Sequence, residues 1–286
     1  MSTFQIITDS CSDFNEQMYR AFHVGSAPLS VLYKGVLHAN FSDDASLQDL
    51  YAGIRAGEMP TTSAVNPEGW TDLMKPILEA GQDILAICFA SALSVTYQNA
   101  VIAATELREA YPDRKINIVD SCCATLGQGL LIMKACEKRD AGESLEAVTA
   151  WAEDAKKHVA HWITVDNLFH LKRGGRLSAT TAIVGTMLHI KPLLVITEEG
   201  KLISHSKARG RKAAIEAIVK QVEAHCIDKS LVTIAHADCL EDAENLAAAI
   251  KDRCGVQEVR IGYIGAVIGA HTGAGALVVS FMADKR

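Results

Sequence analysis

The 286-residue sequence is poor in the features that nucleic-acid-binding proteins share. Its 28 lysines and arginines are outnumbered by 34 acidic residues, which gives a net charge of −6, and aromatic residues make up only 6% of the chain. Nucleic acids are bound through basic faces and stacking aromatic side chains. The composition therefore gives no support for a nucleic-acid partner.

Signals for export, membrane insertion and metal binding are also missing. The N-terminus has no basic segment followed by an apolar core, and no apolar run approaches the roughly 18 residues of a transmembrane helix. The eight cysteines include no CxxC pair, and the only close pair is Cys122-Cys123. Structural zinc sites need paired ligand spacings. We therefore expect a cytoplasmic protein in a reducing compartment, with no metal and no cofactor.

Three motifs of enzymes that handle phosphates or acyl groups do not occur. The chain contains neither the GxxxxGK[ST] loop that cradles triphosphates nor the GxGxxG turn that binds dinucleotides. It also lacks the GxSxG turn that presents a nucleophilic serine. These absences disfavour nucleotide-binding enzymes and serine hydrolases.

The first half of the chain repeats one pattern, an apolar run followed by polar residues and a helical segment. The runs are "FQIITDS", "DILAICFAS" and "KINIVDS". Such repeats predict a parallel sheet covered by helices, so we expect a three-layer α/β domain over residues 1–160. Ligand sites in these sheets lie at the carboxyl ends of the strands, where Asp9, Ser91 and Asp120 fall.

The second half predicts a different arrangement. An amphipathic helix with Leu145 and Val159 on one face leads to a further helix, Ala182–Ile190, closed by Pro192. A hairpin then turns at Glu199-Gly200, and helices and strands alternate after it. We expect an α+β domain with a mixed or antiparallel sheet over residues 161–286.

Hydroxyl groups and one histidine are the candidate binding groups. Thr61, Thr62 and Ser63 lie between prolines, whereas Ser91, Ser94 and Thr96 stand at a predicted helix start, and His271 lies among small residues in "GAHTGAG". Hydroxyls beside free backbone N–H groups form anion receptors, although each alone also fits a cap or a turn. His158 and His161 are three residues apart, a spacing that allows a metal site but fits a solvated helix face better.

The segment "LKRGGRLS" packs Lys172, Arg173 and Arg176 around two glycines. Because it matches no phosphate-binding loop, it is interpreted as either a solvated basic turn or a docking patch whose glycines project the cations outward.

Seven short motifs, taken in the order in which they occur along the chain, resemble those of the DegV family of bacterial fatty-acid-binding proteins. They span residues 6–276, nearly the whole chain, and are "TDS", "TS", "LSVTYQNA", "VDS", "LKRGGRLS", "KPLL" and "GAHTGAGA". The resemblance implies a non-catalytic carrier that binds a free long-chain fatty acid. A separate ATP-dependent kinase subunit would then form the acyl phosphate for phospholipid synthesis, with at most transient contact with a membrane surface.

The resemblance also implies roles for individual residues. Thr62, Ser94 and His271 would hydrogen-bond the carboxylate, and Arg209 would lie nearby. The basic segment would dock on an acidic surface of the kinase subunit, and the acyl chain would lie in the second domain, with Ala182–Ile190 as one wall. The chain departs from the family pattern at Val95, at Ala64-Val65 and at Ala274, where the family usually has glycine, "QP" and proline.

One alternative stays open on the residues. An α/β enzyme acting on a small phosphorylated or carbonyl substrate would use His271 as its acid–base group and the basic segment to hold phosphate.

Overall fold

The computed structural model describes residues 4–39, 43–166, 168–177 and 190–286. The strands within these ranges are β1 Phe4–Asp9, β2 Val24–Ala27, β3 Ser30–Tyr33, β4 Val36–Ala39, β5 Thr61–Ser63, β6 Asp83–Cys88, β7 Ile116–Asp120, β8 Val159–Thr164, β9 Ile190–Ile196, β10 Leu202–Arg209, β11 Leu231–His236, β12 Glu258–Tyr263 and β13 Leu277–Met282. The helices are α1 Glu16–Ala21, α2 Asp44–Arg55, α3 Pro67–Glu79, α4 Thr96–Ala110, α5 Thr125–Asp140, α6 Leu145–Ala155, α7 Phe169–Arg173, α8 Arg211–His225, α9 Leu240–Cys254 and α10 Ala266–Thr272.

The first sheet is fully parallel, with the strand order β2-β1-β6-β7. Its central strands β1 and β6 are almost wholly buried, as their near-continuous apolar runs predict. The helices α3 and α4 pack together on it, and so do α5 and α6. The predicted parallel sheet and its strand–turn–helix units are confirmed.

The second sheet is mixed, with the strand order β10-β9-β8-β13-β11-β12. Its pairs are antiparallel except β11 with β12, and the predicted hairpin joins β9 to β10. The helices α8 and α9 pack on this sheet, as does α5 from the first half. Because α5 contacts strands of both sheets, it lies between them and ties the two halves together.

A small antiparallel sheet, β4-β3-β5, forms beside these two. Its edge strand β5 follows Pro60 and carries Thr62 in its middle. A proline is tolerated next to an edge strand because no ladder hydrogen bond is lost there. The sheet thus fixes Thr62 in an extended segment.

Three details of the second-half prediction are wrong. The amphipathic helix ends at Ala155 and a short 3₁₀ turn follows, so Val159 and His161 belong to β8. His161 is buried there, so the interpretation of His158 and His161 as neighbours on a solvated helix face fails. The apolar period continues through Val159 because β8 is buried on both faces.

Pro192 lies inside β9 and does not follow a helix directly. Of the predicted helix Ala182–Ile190, residues 182–189 lie outside the described residues, and Ile190 begins β9. The predicted domain boundary between residues 160 and 161 falls within β8, and one apolar core contains residues from both sides of that boundary. No helix in the described part of the chain is long and apolar enough to cross a membrane.

Candidate fatty-acid site

A cavity of about 450 Å³ lies between the two halves of the chain. Side chains from the first half, such as Leu29 and Phe89, face it together with side chains from the second half. Most of its wall is apolar, as in small-molecule sites generally. Further apolar lining residues are Leu93, Ile163, Leu171, Ile196, Leu202, Val267, Ile268 and Val278.

The polar part of the lining brings together three residues that are far apart in the sequence, Thr62, Ser94 and His271. The Oγ1 of Thr62 lies 2.8 Å from Nε2 of His271, a hydrogen bond across 209 residues of sequence. The sequence-derived carboxylate-binding residues therefore line one cavity, and two of them contact each other directly.

The imidazole of His271 is neutral at physiological pH. Burial, reinforced by the nearby Arg176 and Arg173 guanidinium groups, lowers its pKa to about 4. Its Nδ1 is buried without a hydrogen-bond partner and packs against the α-carbon of Gly174, where a side chain would overlap the ring. A buried acceptor without a partner costs less than a buried N–H without one, so the proton is expected on Nε2, which then donates to Thr62.

Ser94 precedes the first turn of α4. Its Oγ accepts a hydrogen bond from the backbone N–H of Thr96 at 3.2 Å and lies 2.9 Å from the Thr96 Oγ1. Val95, which replaces the usual glycine, has φ = −77° and is 60% exposed. The backbone here does not require a positive φ, so valine fits without strain.

The basic segment adjoins the same cavity. Arg176 lines the cavity, and its Nε donates to the carbonyl oxygen of Leu93 at 3.2 Å. A guanidinium nitrogen of Arg173 donates to the carbonyl oxygen of Pro60 at 3.1 Å. The two arginines therefore reach the backbone just before Ser94 and just before the strand that carries Thr62.

Two other predicted residues lie away from these groups. Lys172 is exposed on α7, and Arg209 is exposed at the end of β10. Neither is among the described residues that line the cavity. Arg209 pairs in register with Ile190 of β9.

The acidic residues at the strand ends organise loops. The buried Asp9 carboxylate accepts hydrogen bonds from the backbone N–H groups of Cys11 and Phe89, and burial raises its pKa to about 6. Asp120 accepts from the N–H groups of Ser91 and Cys122. Both carboxylates are therefore occupied by backbone donors.

Sequence reasoning missed three polar residues of the cavity wall, His161, Thr125 and Thr272. His161 on β8 is buried, and its ring lies near the backbone of Val159 and Ala124. Burial lowers its pKa to about 3. Thr125 begins α5 with φ = +53°, which is unusual for a β-branched residue. Neither property leaves a pattern in the sequence. Among the described residues, no cluster of histidine, cysteine, aspartate or glutamate could hold a metal ion.

A parallel sheet, a mixed sheet and a mostly apolar cavity with clustered hydroxyl and imidazole groups define an α/β protein with a candidate small-molecule site. The model of the DegV family, described as uncharacterised proteins, matches residues 3–284. The chain therefore belongs to the DegV family.

Relatives cover the whole chain. A DegV domain-containing protein of Clostridium perfringens, CPE0026, is 38% identical over 289 residues, which cover 100% of this chain and 99% of the relative. A fatty-acid-binding DegV family protein from Thermus thermophilus has the same fold, with a TM-score of 0.88 and 30% identity over 98% of this chain and 99% of that one. The fatty acid binding protein DegV from Bacillus subtilis matches with a TM-score of 0.83 and 27% identity over 98% and 99% of the two chains.

Proposed function

We propose that this protein binds a free long-chain fatty acid in the cavity between its halves and presents the carboxylate to a separate ATP-dependent kinase subunit. The observation that carries the proposal is the hydrogen-bonded pair Thr62–His271 in the wall of a mostly apolar cavity that Ser94 also lines. Solved structures of family members that bind fatty acids support it.

The polar groups suit a carboxylate. With the proton of His271 on Nε2 and donated to the Thr62 Oγ1, the hydroxyl proton of Thr62 is free to point at the ligand. Ser94 already accepts from the Thr96 N–H, so its own proton is available as a second donor. A partly buried carboxylate needs several such donors to replace its lost hydration. Arg176 at the cavity wall adds favourable charge.

The apolar wall supplies the larger part of the affinity. Each buried methylene contributes about 0.8 kcal/mol, so a long acyl chain offers on the order of 10 kcal/mol before the entropy of ordering it is subtracted. The apolar wall, and not the polar groups, therefore determines which acyl-chain lengths bind.

The kinase subunit would need access to the carboxylate without competition from a tight clamp. Thr62 and Ser94 are neutral donors, and His271 acts on the ligand through Thr62, so an incoming phosphoryl group does not have to break a bidentate ion pair. Lys172 is exposed on α7, where its sequence neighbour Leu171 lines the cavity, and is a candidate for charge steering of an acidic partner, which changes association rates more than ligand affinity.

The binding step is tested by extracting the protein purified from bacteria and measuring free fatty acids by mass spectrometry. Delipidated protein should then take up palmitate or oleate in a calorimetric titration. Absence of an acyl chain in the extract together with no uptake would reject the proposal. Titration with nucleotides and sugar phosphates distinguishes the fatty-acid carrier from the alternative α/β enzyme, because a carrier is expected to bind neither.

The presentation step needs a separate assay. With an added kinase subunit and ATP, Lys172→Ala should slow acyl-phosphate formation at low salt while fatty acid affinity stays within twofold. The expected rate loss should shrink as salt screens the charge. A rate unchanged at low salt would remove Lys172 from the docking surface.

The arginine pair separates docking from ligand binding less cleanly. Arg173→Ala with Arg176→Ala should slow the kinase reaction through lost charge. A fall in oleate affinity in this double variant would show that the segment also supports the ligand site, because Arg176 lines the cavity and both side chains bond to the backbone at Pro60 and Leu93. Lys172→Ala is the control without such a contact among the described hydrogen bonds.

A further inference from the structure

A second and larger cavity, of about 750 Å³, lies beside the first. Leu29 and Val267 line both cavities and form part of the wall between them. Most of the remaining lining comes from the turn after β1 and from α1, α2, α9 and β12, and single residues of β2, β3, β4 and β11 and the start of α10 complete it. Its volume falls in the range of small-molecule sites.

Apart from two histidines, His38 and His236, the ionic side chains that line this cavity have one sign. The carboxyl side chains of Asp13, Glu16, Asp44 and Glu244 line it, and no lysine or arginine is among the lining residues in the described part of the chain. Glu16 pairs with Arg20 on the same helix. The remaining three carboxyl groups have no ion-pair partner among the described contacts, so the cavity favours a cation.

Asp13 is the most buried of the four carboxyl residues that line the second cavity. The residue as a whole is partly exposed, but both of its carboxyl oxygens are buried and neither makes a hydrogen bond of good geometry; the backbone N–H of Gly265 lies close enough to act against the effect of burial on its pKa. The carboxyl group lies against Gly265, the residue before α10, where a side chain would overlap it. Burial raises the pKa of Asp13 well above its ordinary value, which disfavours the charged form of its carboxyl group. A cation placed beside the carboxyl group offsets this cost and restores the charged form.

The aromatic lining indicates what kind of cation fits. Tyr19, Tyr263 and Phe14 face the cavity, and aromatic rings bind organic cations through their π faces. His236 packs on the Tyr263 ring with centroids 4.4 Å apart, and burial lowers its pKa, so it adds no positive charge at neutral pH. The carboxyl groups are not clustered as metal ligands in the described residues.

We propose that this second cavity binds a small organic ammonium ion, with Asp13 as its counter-charge and the tyrosine rings as its apolar contacts. Asp44 and Glu244 line the same cavity and are exposed, so they form an acidic rim. The site is separate from the proposed fatty-acid site, and its occupancy does not depend on whether that proposal holds.

Calorimetric titration of the delipidated full-length protein with putrescine and with choline, at constant ionic strength set by sodium chloride, tests the proposal. The wild type should bind at least one of them saturably, with a Kd of about 1 mM or below. Asp13→Asn should weaken binding at least tenfold. Glu244→Gln should weaken it severalfold, whereas Glu241→Gln, an exposed carboxyl on the same helix outside the lining, should leave it unchanged.

If Asp13→Asn does not fold, the double variant Asp44→Asn with Glu244→Gln replaces it, because both carboxyl groups are exposed at the rim. No saturable binding of either amine by the wild type would overturn the proposal. Equal binding by wild type and by the acidic-rim and Asp13 variants would overturn it as well. Oleate affinity is measured in parallel, so a failure of the fatty-acid proposal is recognised separately.

Discussion

Replacing Thr62 by valine tests the carboxylate site most directly. Valine keeps the β-branched shape that suits β5 and removes the hydroxyl group that contacts His271. A hydrogen bond to a charged group contributes about 1.5–3 kcal/mol, and each 1.4 kcal/mol is a factor of ten in Kd. Thr62→Val should therefore weaken oleate binding roughly 10- to 150-fold. The variant also removes the Thr62–His271 hydrogen bond. This loss affects the free and the ligand-bound protein alike, so it largely cancels from the ratio of the two Kd values.

The matched control is Thr61→Val, the same chemical change one residue earlier on β5. Thr61 is exposed and is not among the lining residues, because alternate side chains of a strand face opposite sides. Its oleate affinity should stay within twofold of the wild type. Calorimetry or displacement of a fluorescent fatty acid from delipidated protein measures both variants.

The ligand supplies a second control. Oleic acid methyl ester has the same acyl chain but no anionic oxygen, and a neutral hydrogen bond contributes only about 0.5–1.5 kcal/mol. The effect of Thr62→Val should therefore shrink to roughly tenfold or less for the ester. If Thr62→Val binds oleate like the wild type, or loses the ester and the acid equally, Thr62 does not contact the carboxylate.

The remaining predictions use the same binding assay or urea unfolding. Ser94→Ala should weaken oleate binding about tenfold, and unchanged affinity would remove Ser94 from the site. Gly174→Ala should also weaken it, because the added methyl overlaps the His271 ring and overpacking costs about 1–3 kcal/mol; full affinity would show that the ring is free to move. Burial lowers the pKa of His161 to about 3, below the unfolded value near 6.5. The unfolded chain therefore takes up the proton first, and wild-type stability relative to His161→Gln should fall from pH 7 to pH 4; a pH-independent difference contradicts this.

The regular elements of the first half were predictable because each follows from neighbouring residues. The apolar runs ending at Asp9, Cys88 and Asp120 form the strands β1, β6 and β7, and polar residues follow each of them. Prediction failed where one apolar pattern continues from a helix into the strand that follows it. Val159 continues the period of α6, yet it begins the buried strand β8.

Local pattern marked Thr62, Ser94 and His271 as candidate binding groups but could not bring them together in one site. The hydrogen bond between Thr62 and His271 joins residues 209 positions apart, and hydrophobic periodicity carries no information at that separation. Only the resemblance to the DegV family placed Thr62, Ser94 and His271 in one site. The structure brings the three to one cavity but leaves Arg209 exposed and outside the described lining.

The position of His271 shows how the two halves of the fold create a site that neither contains alone. The helix α10 carries His271 near its C-terminal end, and the hydroxyl of Tyr51 on α2 donates to the carbonyl oxygen of Ile264 just before that helix, at 2.5 Å. Tyr51 also packs against Gly269, where any side chain would overlap its ring. Tyr51 from the first half thus holds α10 of the second half in place. The partly buried imidazole of His271 on that helix then contacts Thr62 of the small sheet. Because the site depends on this interface, a side chain introduced at Gly269 would displace α10 from Tyr51. Such a substitution should weaken fatty acid binding even though no ligand-contacting group changes.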